Sequence, residues 1–251
     1  MKQYEFIISN KKFSINNEND LEVLFKIFSG NSKTSSVIHW NILMEVDSDL
    51  EKIITSYRGL LNCLKYLNEK NSFLFLVKLG DVLINLISNS KELAEIISRI
   101  PEESNKIKLL SILRLKGLTK ILYDAKDLGN IFEWLYGKSQ RDFINLLGKD
   151  IIKKLFFSTN EIIMTLHYLT DENKDYLMDI LGLDGVKAKV KTSKDFLVMF
   201  KGLTIKKSKI LLKKFTKSEI LDMFKTEDDF YKFLLRLPRD KEKIFLEFLQ
   251  K

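Results

Sequence analysis

A helix start signal recurs at a constant interval through the second half of this chain, and that periodicity restricts the fold more than any other feature. Asp124, Ser158, Thr192 and Thr226 stand 34 residues apart. Each is followed three places on by an acid (Asp127, Glu161, Asp195, Asp229) and then by an apolar residue (Leu128, Ile162, Phe196, Phe230). A side-chain oxygen at an N-cap satisfies an orphan N–H of the first turn, and a carboxylate three residues later reaches back and complements the helix dipole. Signals repeated in phase predict helices repeated in phase.

The register extends beyond the caps. Counting each cap as position 0, position 8 holds Phe132, Leu166, Phe200 and Leu234, and position 11 holds Leu135, Leu169, Leu203 and Leu237. With position 4 these form the apolar stripe of one amphipathic helix. After a break, position 19 (Phe143, Leu177, Leu211, Phe245) and position 23 (Leu147, Leu181, Phe215, Leu249) make a second stripe. Position 28 (Ile152, Val186, Ile220) and position 31 (Leu155, Lys189, Met223) predict a short third helix. Lys189, and Lys214 at position 22, interrupt the apolar columns, so packing there is expected to be looser.

Read backwards, Leu109, Ile112, Leu113, Leu118 and Ile121 fit the same columns for a repeat starting at Ser90. Its first helix (Leu93, Ile97, Ile100) runs one residue early, an offset that an insertion in the turn 100–103 absorbs at little cost. Leu60, Leu64, Leu67, then Leu74, Val77, Leu83 and Leu86 read as an earlier repeat, and Leu21, Leu24, Phe25, Phe28, Ile38, Ile42 and Leu43 as a degenerate first one. The expected fold is mainly α: a right-handed α-solenoid of about six helical repeats, two to three short helices each, with a small N-terminal β-hairpin. The hairpin is placed at 1–19, six repeats near 20–54, 55–89, 90–123, 124–157, 158–191 and 192–225, and a shorter final one at 226–251. Stacked repeats need no boundary between domains, since each covers its neighbour.

Two prolines and ten glycines in 251 residues suit short turns between helices. The hairpin rests on Tyr4, Phe6, Ile8, Phe13 and Ile15, which alternate with polar residues around 9–12 and must lay their apolar face on the first helices. Asn16–Asp20 reads as a polar bridge into helix. The polar run Ser29–Ser36 reads as an exposed turn; its Lys33-Thr34 pair superficially suggests a phosphate loop but lacks the second glycine and a preceding strand. Cys63 is the single cysteine, which excludes an internal disulfide or cysteine metal site and fits a reducing compartment. No apolar run is long enough to cross a bilayer, and the first residues lack the apolar core of a cleavable signal peptide. A soluble, cytoplasmic protein is expected.

Charge is unevenly placed. Between Val186 and Lys217 eleven lysines face one acid, Asp195, a net of +10 in a chain whose total is +8, so the remainder is close to neutral. On a helical wheel Lys206, Lys209 and Lys213 lie together with Lys207 and Lys214 flanking them, while Ile205, Leu211, Leu212 and Phe215 lie opposite. Together with Lys187 and Lys189 these five lysines are the candidate partner-binding residues. The patch is either a solubilising surface or a dock for an anion: nucleic acid, anionic lipid head groups or an acidic protein. Phe196, Phe200 and Phe215 near it occupy core columns, so they are not stacking platforms for single strands.

Catalytic candidates are scarce. His39 and His167 are the only histidines, and His167 sits in a helix at an exposed-looking place. Cys63 shares core spacing with Leu60, Leu64 and Leu67, which argues for a buried thiol. Glu102-Glu103 and Asp228-Asp229 sit at helix starts, where carboxylates have a structural role. No metal, nucleotide or nucleophile motif is present. The expectation is a non-enzymatic scaffold without cofactor, the alternative being an enzyme whose catalytic groups are scattered along the chain without a local motif.

The period equals that of tetratricopeptide repeats, but that family's small-residue and aromatic signature is absent. Residues 55–251 instead resemble the divergent helical repeats of effector proteins that intracellular bacteria deliver into host cells. The likeness is carried by Ser158-x-x-Glu161-Ile162 and its equivalents, the Leu237-Pro238-Arg239 turn, Leu146-Leu147-Gly148 and a hairpin ahead of the array. A composition rich in Lys, Ile, Asn and Phe agrees with an AT-rich genome. The resemblance implies delivery to a host cytosol without a cleavable signal and binding of a host or bacterial protein.

Overall fold

The computed structural model describes residues 4–8, 11–30 and 33–250. It is mainly helical with one two-stranded antiparallel sheet. The chain divides into two compact bodies, Met1–Ile121 and Leu122–Lys251.

In the C-terminal body every repeated start signal is a working cap. The side chains of Asp124, Ser158, Thr192 and Thr226 accept from the backbone N–H three residues on, opening helices α9 (Ala125–Phe132), α12 (Thr159–His167), α15 (Ser193–Gly202) and α18 (Glu227–Arg236). Glu161 and Asp195 complete reciprocal capping boxes, and the Asp127 carboxylate accepts from Tyr123 N at 2.8 Å. Second helices follow: α10 (Lys138–Leu147), α13 (Asp171–Leu181), α16 (Ile205–Leu212) and α19 (Arg239–Gln250). Short third helices follow in turn: α11 (Lys149–Lys154), α14 (Leu183–Lys187) and α17 (Lys217–Leu221). Helix α12 packs between α9 and α15, α15 also meets α18, α13 lies on α10 and α11, and α16 on α19.

The columns of this body are its core. Phe143, Leu177, Leu211 and Phe245 at position 19 are fully buried, as are Leu128, Ile162 and Phe196 at position 4. Phe196 alone meets the rings of Phe200, Phe215, Phe233 and Phe245 within 6 Å. A further buried column at position 7 (Ile131, Thr165, Met199, Phe233) was not part of the predicted stripe. Its one polar member is satisfied, since Thr165 Oγ1 donates to Ala125 O at 3.3 Å. In the last repeat Phe230, Leu234 and Leu249 are only half-buried. Lys189 is half-buried and Lys214 exposed, in keeping with their break in the columns.

The N-terminal body begins with β1 (Tyr4–Ile8) paired to β2 (Lys11–Ile15), Tyr4 opposite Ile15. Of the polar residues 9–12 expected around the turn, 9 and 10 lie outside the described residues, and Lys11 and Lys12 belong to β2. The hairpin's apolar face is held as alternation requires: Tyr4 and Ile15 are buried, Phe13 meets the Phe28 ring edge-on at 5.6 Å, and Tyr4 Oη donates to Asp49 at 2.5 Å. Then come α1 (Glu18–Ile27), α2 (Lys33–Glu45), α3 (Leu50–Ile53), α4 (Tyr57–Leu64), α5 (Glu69–Leu79), α6 (Leu83–Leu86), α7 (Ser90–Ser98) and α8 (Glu103–Leu118).

Three expectations need correction here. Lys33–Ser36 is the first turn of α2 rather than a loop, because the apolar run after it carries the helix back over a segment without glycine or proline. The cap of α7 is Asn89, not Ser90; counted from Asn89, Leu93, Ile97 and Ile100 fall on positions 4, 8 and 11, so the one-residue offset is real and is taken up before α8. Counted from its cap Ser56, the second repeat buries Phe75 and Leu79 at positions 19 and 23, while Leu74 is half-buried and Val77 is 38% exposed.

Position 24 links these modules most clearly. Gly80, Arg114, Gly148 and Gly182 stand 34 residues apart and all have positive φ, at 50°, 54°, 78° and 74°. That dihedral separates second from third helix, and Arg114 marks a break inside α8 (φ 54°, ψ 165°). At the next interval Thr216 replaces the device with an extended cap and a capping box of its own with Glu219.

Candidate interaction surfaces

The lysine cluster is not one solvated face. Lys206, Lys209 and Lys213 are exposed along one side of α16 and its C-terminal cap, with no ion pair among the described residues. Lys207 is buried, 4% exposed, and forms an ion pair with Asp179 on α13. It occupies position 15, a column of buried polar side chains that also holds Asn71, Ser139, Asn173 and Lys241. Such a residue faces the preceding repeat, so a single-helix wheel puts it at the edge and the neighbouring repeat covers it. Ile205, placed on the core side by the wheel, is the first residue of α16 and is 36% exposed.

Two more of the candidate lysines are held by acids. Lys187 Nζ donates to both carboxylate oxygens of Glu219 at 2.8 and 2.9 Å and lies 4.9 Å above the Phe215 ring. Lys187's hydrogen bond to that carboxylate, with help from Thr216 N, holds the Glu219 carboxyl below its usual range. Lys214 pairs with Asp184 at 3.0 Å. Lys187 and Glu219 line a groove of about 620 Å³ together with Asp184, Lys191, Phe215, Asp222 and Met223, so the hollow beside the cluster is mixed in charge. Lys189 carries no ion pair among the described residues.

The acids paired with Lys207 and Lys214, Asp179 and Asp184, come from one repeat earlier, whereas Glu219, paired with Lys187, comes from one repeat later. Positions 14, 17 and 21 hold Lys206 and Lys209 on α16 with Lys213 at its cap, and Glu172, Asp175 and Asp179 on α13. Thr204 Oγ1 donates to Asp175 at 2.5 Å. On the other side of α13, Arg141 pairs with Glu172 at 2.9 Å and stacks 4.8 Å above Tyr176. Between α13 and α16 the charge contact is the Lys207–Asp179 pair, while Lys206, Lys209 and Lys213 stay exposed.

The buried polar column ties helix ends to the next repeat. Asn173 Nδ2 donates to Gly137 O at 2.6 Å and to Gln140 Oε1 at 3.0 Å, while Gln140 Nε2 donates to Leu135 O and Tyr168 O. Lys241 Nζ donates to Phe200 O and Lys201 O, both at 2.7 Å, and to Leu203 O. These carbonyls belong to the C-terminal end of α15, which an ammonium complements. Burial pulls the Lys241 ammonium down to about 8, so it still carries its charge at neutral pH. The sequence signal was a polar residue recurring every 34 places beside the apolar columns.

A different surface lies in the N-terminal body. Between α5 and α8, Phe73, Val77, Ile107 and Ile112 floor a groove of about 400 Å³ edged by Lys108 and Ser111. It continues at one end past Asn68, Glu69, Lys70, Glu102 and Asn105, and at the other past Gly80, Asp81 and Arg114. The floor is apolar and the rim polar. Val77 is in it because the helix register places that residue one step off the core stripe.

The remaining candidates have structural surroundings. Cys63 is fully buried and burial pushes its thiol well up, so no thiolate is available at neutral pH. His39 is buried with Nε2 3.1 Å from Phe25 O, and burial lowers its pKa against that contact. His167 is exposed beside Tyr168. Among the described residues no group of three or more His, Cys, Asp or Glu side chains is placed to hold a metal, and no helix is long and apolar enough to cross a membrane. Comparison with family models, curated proteins and solved structures finds no match to this chain.

Proposed function

We propose that the chain is a non-enzymatic interaction scaffold: modules of about 34 residues, about six in all, stacked within each body as a right-handed α-solenoid, with a protein partner seated in the α5/α8 groove. The observation that carries this reading is the apolar floor of Phe73, Val77, Ile107 and Ile112 between charged rims. A groove between second helices accepts an amphipathic helix through side chains spaced i, i+3/i+4, i+7. As in the effector repeats that residues 55–251 resemble, the partner would be a protein met in the cytosol of a host or of the producing cell.

Selection of helical peptides from a displayed library against the whole chain tests this. Binders should be amphipathic, and Val77→Glu, at a partly exposed position, should weaken them at least about tenfold with the thermal midpoint unchanged. Binders insensitive to Val77→Glu and Ile107→Glu would refute the groove.

The second reading, electrostatic docking on nucleic acid or anionic lipid, rests on Lys206, Lys209 and Lys213, which are exposed on one side of α16 without ion pairs. It predicts binding to duplex DNA or phosphatidylserine vesicles that falls steeply with salt and is lost in the triple Glu variant of those three lysines. Binding unaltered by the triple substitution would dismiss it.

A further inference from the structure

Helix α18 breaks the surface pattern of the helices it repeats. Position 9 is polar and exposed in the three preceding first helices, as Glu133, His167 and Lys201, but on α18 it is Leu235, 78% exposed. Position 5 is where one first helix meets the next: a Cβ on Gly129 would touch Tyr168 at 3.1 Å, and one on Gly202 would collide with Ile163 at 2.3 Å. In the preceding repeats that position is Gly129, Ile163 and Leu197, buried or half-buried; on α18 it is Tyr231, 66% exposed. Tyr231 and Leu235 stand one turn apart on the side of α18 opposite its buried Phe233. An isolated exposed leucine needs no explanation, but a leucine one turn from an exposed aromatic that stands at the position used for stacking elsewhere in this body does.

The charges on α18 specify what covers that face. Glu227 and Asp228 are exposed at its N-terminal end, and Arg239 is exposed just beyond its C-terminal end, after Pro238. We propose that the occupant is a second copy of this chain, with α18 packed antiparallel on α18 of the other copy about a two-fold axis. In that arrangement each Tyr231–Leu235 pair fills the space beside the other, and the acidic end of each helix meets Arg239 of its partner. A two-fold interface uses one self-complementary patch twice, which a helix acidic at one end and basic at the other supplies. A parallel partner of the same charge pattern would place acid on acid.

Analytical ultracentrifugation of the whole 29.4 kDa chain across a concentration series tests the proposal. The mass should rise toward the dimer at high micromolar protein. Leu235→Glu should raise the dissociation constant at least about a hundredfold, because each dimer loses two buried leucines. Its thermal midpoint, measured at dilution where both proteins are monomeric, should match the parent, since Leu235 touches solvent in the monomer. Glu227→Arg alone should weaken the dimer, and Glu227→Arg with Arg239→Glu should restore it. A chain that stays monomeric throughout, a dimer indifferent to Leu235→Glu, or a charge swap that fails to restore association would each overturn the two-fold α18 pair.

Discussion

Arg114 offers the sharpest quantitative test of the repeat. It is the only non-glycine with positive φ among the described residues, at φ 54° and ψ 165°, and it stands where Gly80, Gly148 and Gly182 stand in their own modules. That region is nearly closed to residues with a Cβ, and occupying it costs about 1–3 kcal/mol. Arg114→Gly relieves this cost. Against it stand about 0.5–1 kcal/mol of extra freedom in the unfolded chain and the loss of a contact worth a few tenths, since Arg114 Nε lies 3.6 Å from Asp81 with both side chains largely exposed. The net should be a stabilisation near 1 kcal/mol, or about 2–4 °C in thermal midpoint for a chain of this size. Urea titration followed by helical circular dichroism supplies the measurement. The counterpart is Gly148→Ala: a Cβ there meets nothing within 4 Å, so any loss, expected at about 1–2 kcal/mol, is conformational rather than steric. If Arg114→Gly destabilises, or Gly148→Ala is neutral, position 24 does not demand a glycine-like backbone and the 34-residue hinge is not a common feature of the modules.

Other outcomes follow from single contacts. Glu18 caps a helix that is not its own: its carboxylate accepts from Thr55 N, Ser56 N and Ser56 Oγ at 3.0, 3.1 and 2.7 Å, the place an acid at position 3 fills elsewhere, and here position 3 is Gly59. Glu18→Ala should cost about 1–2 kcal/mol in urea unfolding, and Gly59→Ala should also destabilise because its Cβ would lie 2.2 Å from the Glu18 carboxylate. Lys241→Met should cost about 2–4 kcal/mol by the same measurement, as carbonyls at the end of α15 lose their donor. Because burial lowers the folded Lys241 pKa to about 8 from 10.5, the unfolded chain binds more protons between those values; this group's contribution to stability therefore rises with pH across that window, and Lys241→Met should flatten that rise. At Asp195 burial acts upward but is outweighed by hydrogen bonds from Thr159, Thr192 and two backbone N–H groups, which hold the carboxyl below 3.8. Its stabilisation is present above that value and lost as pH falls through the folded pKa, so Asp195→Asn should make acid unfolding shallower.

The capped helices were legible because their determinants are local. Asp124, Ser158, Thr192 and Thr226 bond within their own first turns, and Leu128, Ile162 and Phe196 are buried by a helical period that any single module displays. Where a residue's environment is made by another module, sequence reasoning failed in a consistent way. Lys207 looked solvated until α13 covered it with Asp179, and Val77 looked buried until α5 turned it into the groove. Glu18 fell within a segment read only as a polar bridge, although it serves the cap of α4 across 38 residues of chain.

What the amino-acid sequence determined by itself was the unit: its 34-residue length, its start signals and its apolar columns, because hydrogen bonds and side-chain periodicity within a few turns suffice to specify a helix. What the tertiary structure alone decided was which side of each helix meets a neighbour and which meets solvent. Charge pairing between α13 and α16, the donors at the end of α15, the α5/α8 groove and the exposed Tyr231 and Leu235 all arise from contacts, or missing contacts, between helices far apart in the chain. Burial is a property of pairs of surfaces, and a single helix carries only one of them.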